Sequence, residues 1–283
     1  MTISNSKPVW FITGCSTGLG RELARKTLGL GYPTVVTARN AASLADFAEE
    51  FGELALVLEL DVTKPAQIDI ATKVALERFG RINVLVNNAG IGYFGSFEES
   101  EREEVRKMFD INVWGLADMT RAVLPAMRKQ RSGTIVNISS VGGIVAFPAL
   151  SFYNATKFAV EALSESLSQE LAPLGVKVLI VEPGPFRTDW AGRSANQAPQ
   201  TIADYATTAK ARTDLMRGYS GKQPGDPVRA ADAIVQTVES KNPPLRLLLG
   251  NAALAHANLK IDAVKKDFDG WAELSKSADY PDA

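Results

Sequence analysis

Tyr153 and Lys157 stand four residues apart in the stretch SFYNATKFAVEALSESLSQEL, which reads as a helix. That spacing puts both side chains on one face, a turn apart. A free tyrosine, with a pKa near ~10, is a poor acid–base group at neutral pH. A neighbouring ammonium favours the phenolate and draws that pKa down. Taken alone, the pair is common enough in helices to be a surface pair. Its setting is what gives it weight. Asn137-Ile138-Ser139-Ser140, Asn87-Asn88-Ala89-Gly90 and Pro183-Gly184-Pro185-Phe186-Arg187-Thr188 each close a β-rich run. In an open α/β sheet such strand ends share one rim, where ligands bind.

A second cluster lies near the N-terminus. The run ending at Thr13 passes into Gly14-Cys15-Ser16-Thr17-Gly18-Leu19-Gly20 and then into the helical stretch RELARKTLGLG. Glycines at 14, 18 and 20 permit a tight turn, a close ligand and close helix–strand packing. The helix start offers N–H groups and a positive dipole end to a pyrophosphate. The spacing is G-x-x-x-G-x-G rather than the commoner G-x-G-x-x-G. The second β-rich run ends Ala38-Arg39, where an NAD site usually carries an acid for the ribose 2′-hydroxyl. An arginine without that acid fits a 2′-phosphate, hence NADP(H); a solvated arginine at a strand end is the other reading.

The elements that position these residues follow from periodicity. Seven β-branched runs, at residues 8–13, 33–38, 54–60, 82–87, 134–139, 176–181 and 245–249, alternate with helical stretches such as Leu116, Met119, Val123 and Met127. Strands apolar on both faces imply a parallel sheet covered by helices on each side. The expected fold is therefore α/β: one Rossmann-type doubly wound parallel sheet of about seven strands, spanning 1–283 as a single domain. The pattern loosens at about 190–227, with a short helix around Ala203–Met216. It is expected to be a substrate lid or a tolerated surface insertion. Trp190 and Phe147 line the pocket if it is a lid and are core residues otherwise. The segment at about 251–275 forms a helix with Leu254, Ile261, Val264, Phe268 and Trp271 on one side, expected to pack on the domain, with a membrane or partner surface as the other reading.

Composition narrows the class. Thirty-one basic and thirty-two acidic side chains leave a net charge of -1 over 283 residues. No broad field calls for nucleic acid or an anionic membrane. The start MTISNSKPVWFITG lacks a secretory pattern, and no apolar run is long enough to span a bilayer, so a cytoplasmic location is expected. Cys15 has no disulfide partner and reads as a small residue in the turn; His256 reads as a surface or packing residue. A single histidine excludes a histidine-rich metal site, and no metal is expected. Arg187 could contact a ligand or form an exposed salt bridge.

With these motifs in hand, the chain resembles the short-chain dehydrogenase/reductase family over essentially its whole length. TGCSTGLG is similar to the family's cofactor turn, and Asp61-Val62 to its adenine-contacting pair. NNAG matches the central-strand motif, and Asn112 in FDINVWG the catalytic asparagine. Ser140 lies thirteen residues before Tyr153, the family's interval, and YNATK is the Tyr-Lys motif. The stretch from Pro183-Gly184 to Thr188 resembles the loop that holds the nicotinamide carboxamide. The 190–227 segment and PPLRLLLG look most like the branch of hydroxysteroid and retinol dehydrogenases and microbial carbonyl reductases.

The resemblance implies a catalytic set of Asn112, Ser140, Tyr153 and Lys157. The implied cofactor contacts are Gly14, Ser16, Thr17, Gly18, Leu19, Gly20, Arg39, Asp61, Val62, Asn88, Ala89, Gly90, Tyr153, Lys157, Pro183, Gly184 and Thr188. Ser140 would steady the carbonyl oxygen, Tyr153 move the proton, Lys157 hold the ribose and lower the tyrosine pKa, and Asn112 hold a water. The expected activity is NADP(H)-dependent reduction of an apolar ketone or aldehyde. Alternatives are oxidation of a sterol- or retinoid-like alcohol, and NADP sensing without turnover. Family members form homodimers or homotetramers through the helices spanning Met108–Met127 and Tyr153–Leu171, whose apolar faces could equally cover the sheet.

Overall fold

The computed structural model describes residues 7–192 and 194–280. The expected sheet is present, with seven parallel strands. The chain runs β1 (Trp10–Ile12), α1 (Gly18–Gly29), β2 (Thr34–Ala38), α2 (Ala45–Phe51), β3 (Ala55–Glu59), α3 (Pro65–Phe79) and β4 (Val84–Asn87). It continues through β5 (Gly92–Phe94), α4 (Arg102–Phe109), α5 (Leu116–Gln130), β6 (Gly133–Ile138), α6 (Ser151–Leu171) and β7 (Val176–Pro183). The last part holds β8 (Ala195–Gln197), α7 (Ala211–Gly218), α8 (Pro227–Glu239), β9 (Arg246–Leu249), α9 (Asn251–Gly270) and α10 (Ala272–Lys276). Strand order is β3-β2-β1-β4-β6-β7-β9, so the chain reverses its direction of travel between β1 and β4. That reversal opens a crevice beyond the strands' C-terminal ends.

Two apolar layers hold the sheet. Leu23, Ala24 and Leu28 of α1 meet Ala230, Ile234 and Val235 of α8 on one face. Ile68 and Ala75 of α3, Met119, Val123 and Met127 of α5, and Leu171 of α6 cover the other. Each fully buried large side chain contributes about 1.5–3 kcal/mol. The apolar positions of α5 thus face the sheet, while Trp114, Phe158 and Leu163 remain exposed.

Two parts of the chain depart from expectation. The 190–227 segment is tied down rather than loose. Its β8 pairs in parallel with β5 to make a second, two-stranded sheet. Arg217 of α7 donates to the carbonyls of Ala191, Gly192 and Ala195 at 2.9, 2.6 and 2.7 Å. The expected helix around Ala203–Met216 is a succession of a 3₁₀ turn (Ala203–Tyr205), a π turn (Ala206–Lys210) and α7. The C-terminal helix is the larger correction. α9 buries only Ala253 and Ala257, and Leu254, Ile261, Phe268 and Trp271 are 52–71% exposed. The apolar stripe is there, but the domain ends before it: α9 meets the body through its first two turns only. No helix among the described residues is long and apolar enough to cross a membrane.

Candidate active site

The crevice is a cleft of about 900 Å³. Its floor at one end is the glycine turn. Gly14 has φ +72°, and a Cβ there would lie 2.9 Å from Ala89 Cα. Gly20 sits under the Asn88 carboxamide, and a Cβ there would come within 2.6 Å of the Gly14 carbonyl. Asn88 Nδ2 donates to the carbonyls of Thr13 and Gly14, both at 2.9 Å. Thr13 Oγ1 in return accepts from the N–H groups of Asn88 and Ala89, both at 3.0 Å. The turn after β1 and the end of β4 are thereby one rigid unit. Helix α1 starts with no side-chain cap on Thr17, so its first N–H groups are left to a ligand.

All the residues expected at a cofactor line this cleft except Gly20, whose part is packing. Asp61 and Val62 lie near the turn, with Arg39 and Ala38 beside them. Pro183 ends β7, Gly184 and Thr188 follow it, and all three line the cleft, with Thr188 close to Gly18 of the turn. Arg39 is exposed and forms no hydrogen bond or ion pair among the described residues; nearby, it helps hold the Asp61 carboxyl below its ordinary range, against burial, together with Thr63 and Lys64. A cradle that a Cβ would fill, an uncapped helix and a cleft of this volume fit a dinucleotide. Arg187, by contrast, does not line the cleft; its Nε donates to the Gln223 carbonyl at 3.2 Å. Cys15 is buried, its Sγ 3.2 Å from the Ile12 carbonyl, and burial pushes the thiol up to about 12, which keeps it inert.

Tyr153, Lys157 and Ser140 meet at the other end. Tyr153 is 6% exposed, its ring 4.9 Å from Trp190, and Lys157 Nζ lies 5.8 Å from the phenol ring centroid. Burial pushes the phenol up to about 12, and the hydrogen bond with Ser140 pulls it back in part. The tyrosine pKa is thus raised in the protein alone, contrary to the expected lowering by Lys157. Desolvation dominates, and only the Ser140 hydrogen bond opposes it. Lys157 is brought down to about 8 by burial, with Glu161 opposing, and its Nζ donates to the Ile138 carbonyl at 2.8 Å. Ser140 caps a short 3₁₀ turn, accepting from the Gly142 N–H at 2.9 Å. Its own O–H is not used in that bond and remains for the Tyr153 phenol oxygen at the edge of the cleft.

Asn112 lies behind this group, in a π-helical turn (Asp110–Gly115) joining α4 to α5. It does not line the cleft. Both of its side-chain hydrogens are taken, by the Ile91 carbonyl at 2.9 Å and Thr156 Oγ1 at 3.1 Å. A water held here has only the remaining Oδ1 lone pair or the carbonyls of the π turn to bind.

Several participants were not singled out in the sequence. Thr13 and Thr156 look like ordinary threonines, yet each joins two motifs. Asn87 donates to Asn137 Oδ1 and Thr120 Oγ1, a buried polar ladder that continues from Asn137 to Ser164. Phe147, expected at the pocket, lies between Arg212 and His256, and all three line the cleft. His256 is thus a cleft residue rather than a bystander. Among the described residues no cluster of three or more His, Cys, Asp or Glu could hold a metal.

The family comparison agrees with this architecture. The family described as short chain dehydrogenase matches residues 8–199. Oxidoreductase BOA17 of Botryotinia fuckeliana is 37% identical over 268 residues, 94% of this chain and 97% of that protein. A 3-ketodihydrosphingosine reductase of Bacteroides thetaiotaomicron is 35% identical over 240 residues, 84% of this chain and 86% of that one. Among solved structures, a short-chain dehydrogenase from Streptomyces avermitilis superposes with a TM-score of 0.90 at 40% identity, covering 96% of this chain and all of that one. Two more distant structures hold cofactors. One is a short-chain dehydrogenase/reductase from Burkholderia phymatum with NAD (TM-score 0.81, 27% identity, 92% and 95% covered). The other is ElxO with NADP (0.73, 26%, 88% and 99%). The glycine cradle and the rim that gathers Ser140, Tyr153 and Lys157 therefore sit in a member of the short-chain dehydrogenase/reductase family, an oxidoreductase with a nicotinamide-cofactor cleft.

Proposed function

We propose that this protein reduces a ketone or aldehyde of apolar body to its alcohol at the expense of NADPH, with Tyr153 as proton donor. One observation carries the reading: Ser140, Tyr153 and Lys157 share a single cleft with Arg39, and no acidic residue stands at the tip of β2. The cofactor, when bound, supplies the hydride. The Ser140 O–H hydrogen-bonds the substrate oxygen as negative charge builds on it. The buried Tyr153 O–H, protonated at neutral pH, gives its proton to that oxygen. Lys157 holds the nicotinamide ribose hydroxyls and adds a positive charge beside the phenol. Arg39 pairs the 2′-phosphate.

The walls next to Tyr153 are Trp190, Leu150, Phe147 and Met216, which favour an apolar substrate body. The reductase named on a sphingoid ketone among the relatives is in keeping with that. Exposed Trp114, Phe158 and Leu163 offer a surface for homodimer or homotetramer assembly. The test is NADPH oxidation with a panel of medium-chain and cyclic ketones, run beside Tyr153→Phe. Turnover by the wild type, lost by about a thousandfold or more in the variant while NADPH still binds, is the expected result. Tight NADPH binding without turnover of any carbonyl would replace the enzyme by a cofactor sensor.

A further inference from the structure

The cleft contains a second cation with no ion-pair partner among the described residues. Arg212, in the first turn of α7, packs its guanidinium 5.3 Å from the centroid of the Phe147 ring. His256 of α9 meets that same ring edge-on at 5.4 Å, so one aromatic ring joins the two. Both basic residues line the cleft that holds Tyr153. The Arg212 Nε is fully buried and has no hydrogen-bond partner. Among the described residues no carboxylate or carbonyl takes any of the Arg212 N–H groups. Its neighbours differ. Lys210 is paired with Asp214 at 2.7 Å, and Arg217 is spent on three backbone carbonyls.

A half-buried guanidinium whose Nε N–H is buried and unpartnered is costly, and a cation–π contact satisfies the charge but not that N–H; its other N–H groups are left to the cleft. Such a residue is retained where an incoming group completes it. Arginine's planar fork suits a carboxylate or phosphate through two parallel bonds. The cleft wall near Tyr153 is apolar, through Trp190, Leu150 and Phe147. From this we infer that the substrate is amphipathic, with its carbonyl at Tyr153, an apolar middle and an anionic oxygen group at Arg212. His256 adds a ring N–H to the same anion. This deepens the reductase reading and rests on it for the position of the carbonyl, but not for the anion site.

Calorimetric titration of the protein with decanoate and with decanol isolates the anion site from the chemistry. Decanoate binding at least about tenfold tighter than decanol is expected, in line with a charge-assisted bidentate pair. Arg212→Gln should erase the difference, and Arg212→Lys should retain part of it. Decyl phosphate in place of decanoate shows which anion the fork prefers, and tighter binding of either supports the site. Equal affinities for decanoate and decanol, or a preference unmoved by Arg212→Gln, would overturn it. The reductase reading has its own readout: NADPH oxidation with 9-oxodecanoate and its methyl ester. Turnover of the ester with kcat/KM equal to or above that of the acid overturns the anionic substrate and leaves the reductase standing. Turnover of neither, with decanoate still held by Arg212, removes the reductase and leaves the anion site.

Discussion

Asn112 and Ile91 are joined by a closed pair of hydrogen bonds, in which Asn112 Oδ1 accepts from the Ile91 N–H and Asn112 Nδ2 donates to the Ile91 carbonyl, each at 2.9 Å. The carboxamide mimics a strand partner for a single residue. That residue lies just past Gly90, whose Cβ would come 3.3 Å from Asn112 Oδ1 and 3.8 Å from Lys157 Nζ. The pair therefore fixes the floor between the cofactor turn and the catalytic lysine. A third bond, to Thr156 Oγ1, ties it to α6, since that hydroxyl donates to the Tyr153 carbonyl at 2.7 Å.

Asn112→Ala should cost about 2–3 kcal/mol, because it strands two backbone groups of Ile91 as well as removing three bonds. A urea unfolding series should show a lower midpoint at unchanged slope. A loss below about 0.5 kcal/mol would mean that water replaces the carboxamide and that the pair is not a structural lock.

How far the sequence reveals this site depends on which contacts are local. Tyr153 and Lys157 share a helix face, so their meeting is written in a four-residue spacing. The sheet is legible because each strand is apolar on both sides. The Asn112–Ile91 pair is not, since it joins residues 21 apart through a π turn whose only sequence trace is the asparagine itself. Nor is the exposure of α9, where an apolar stripe gives no sign of whether a surface awaits it. The β5–β8 sheet escapes notice because three-residue strands carry too little pattern. Arg212 is silent for another reason: an arginine in a polar segment looks solvated until it proves to have a buried Nε and no ion-pair partner among the described residues.

Lys157 should set an alkaline limit on cofactor binding. Its ammonium, brought down to about 8 by burial, is mostly charged at pH 7 and mostly neutral at pH 9. If the charged form holds the ribose, NADPH affinity should fall roughly tenfold over that interval. Fluorescence titration of NADPH across pH 6.5–9.5 reads this, and Lys157→Met should flatten the curve. Removing the opposing Glu161 charge with Glu161→Gln should move the fall to lower pH. A wild-type profile as flat as the Lys157→Met profile would take the ammonium out of the binding account.

Arg39→Asp should reverse cofactor choice. An aspartate at the tip of β2 repels the 2′-phosphate and offers an acceptor to a ribose 2′-hydroxyl. The ratio of kcat/KM for NADPH over NADH should drop by about a hundredfold, mostly through KM. Arg39 has no hydrogen bond or ion pair among the described residues to lose, only its solvent-screened attraction to Asp61, so thermal stability should change little. A constant ratio would leave Arg39 as a solvated strand-end residue.

Glu182 should make the protein less stable as the pH rises from about 4.5 to about 7. This fully buried carboxylate on β7 receives a 2.5 Å bond from Arg246, which also pairs with Glu161 and Glu165. Burial and the adjacent Glu161 carboxylate push Glu182 up from 4.5 to about 7, and Arg246 only partly offsets them. One guanidinium shared among three carboxylates cannot neutralise both buried ones, so the pair Glu161–Glu182 keeps a proton that the unfolded chain has released. Between the unfolded value near 4.5 and the folded value near 7, the native state binds more protons, so stability falls as pH rises through that window. The full cost, present above about pH 7, is on the order of 2–3 kcal/mol. Glu182→Gln keeps the shape and the bond to Arg246 through its carbonyl oxygen while removing the ionisation. Unfolding free energies of the variant should therefore decline less between pH 5 and 8 than those of the wild type. Parallel pH curves for the two proteins would show that Glu182 is charged throughout and that Arg246 alone supports it.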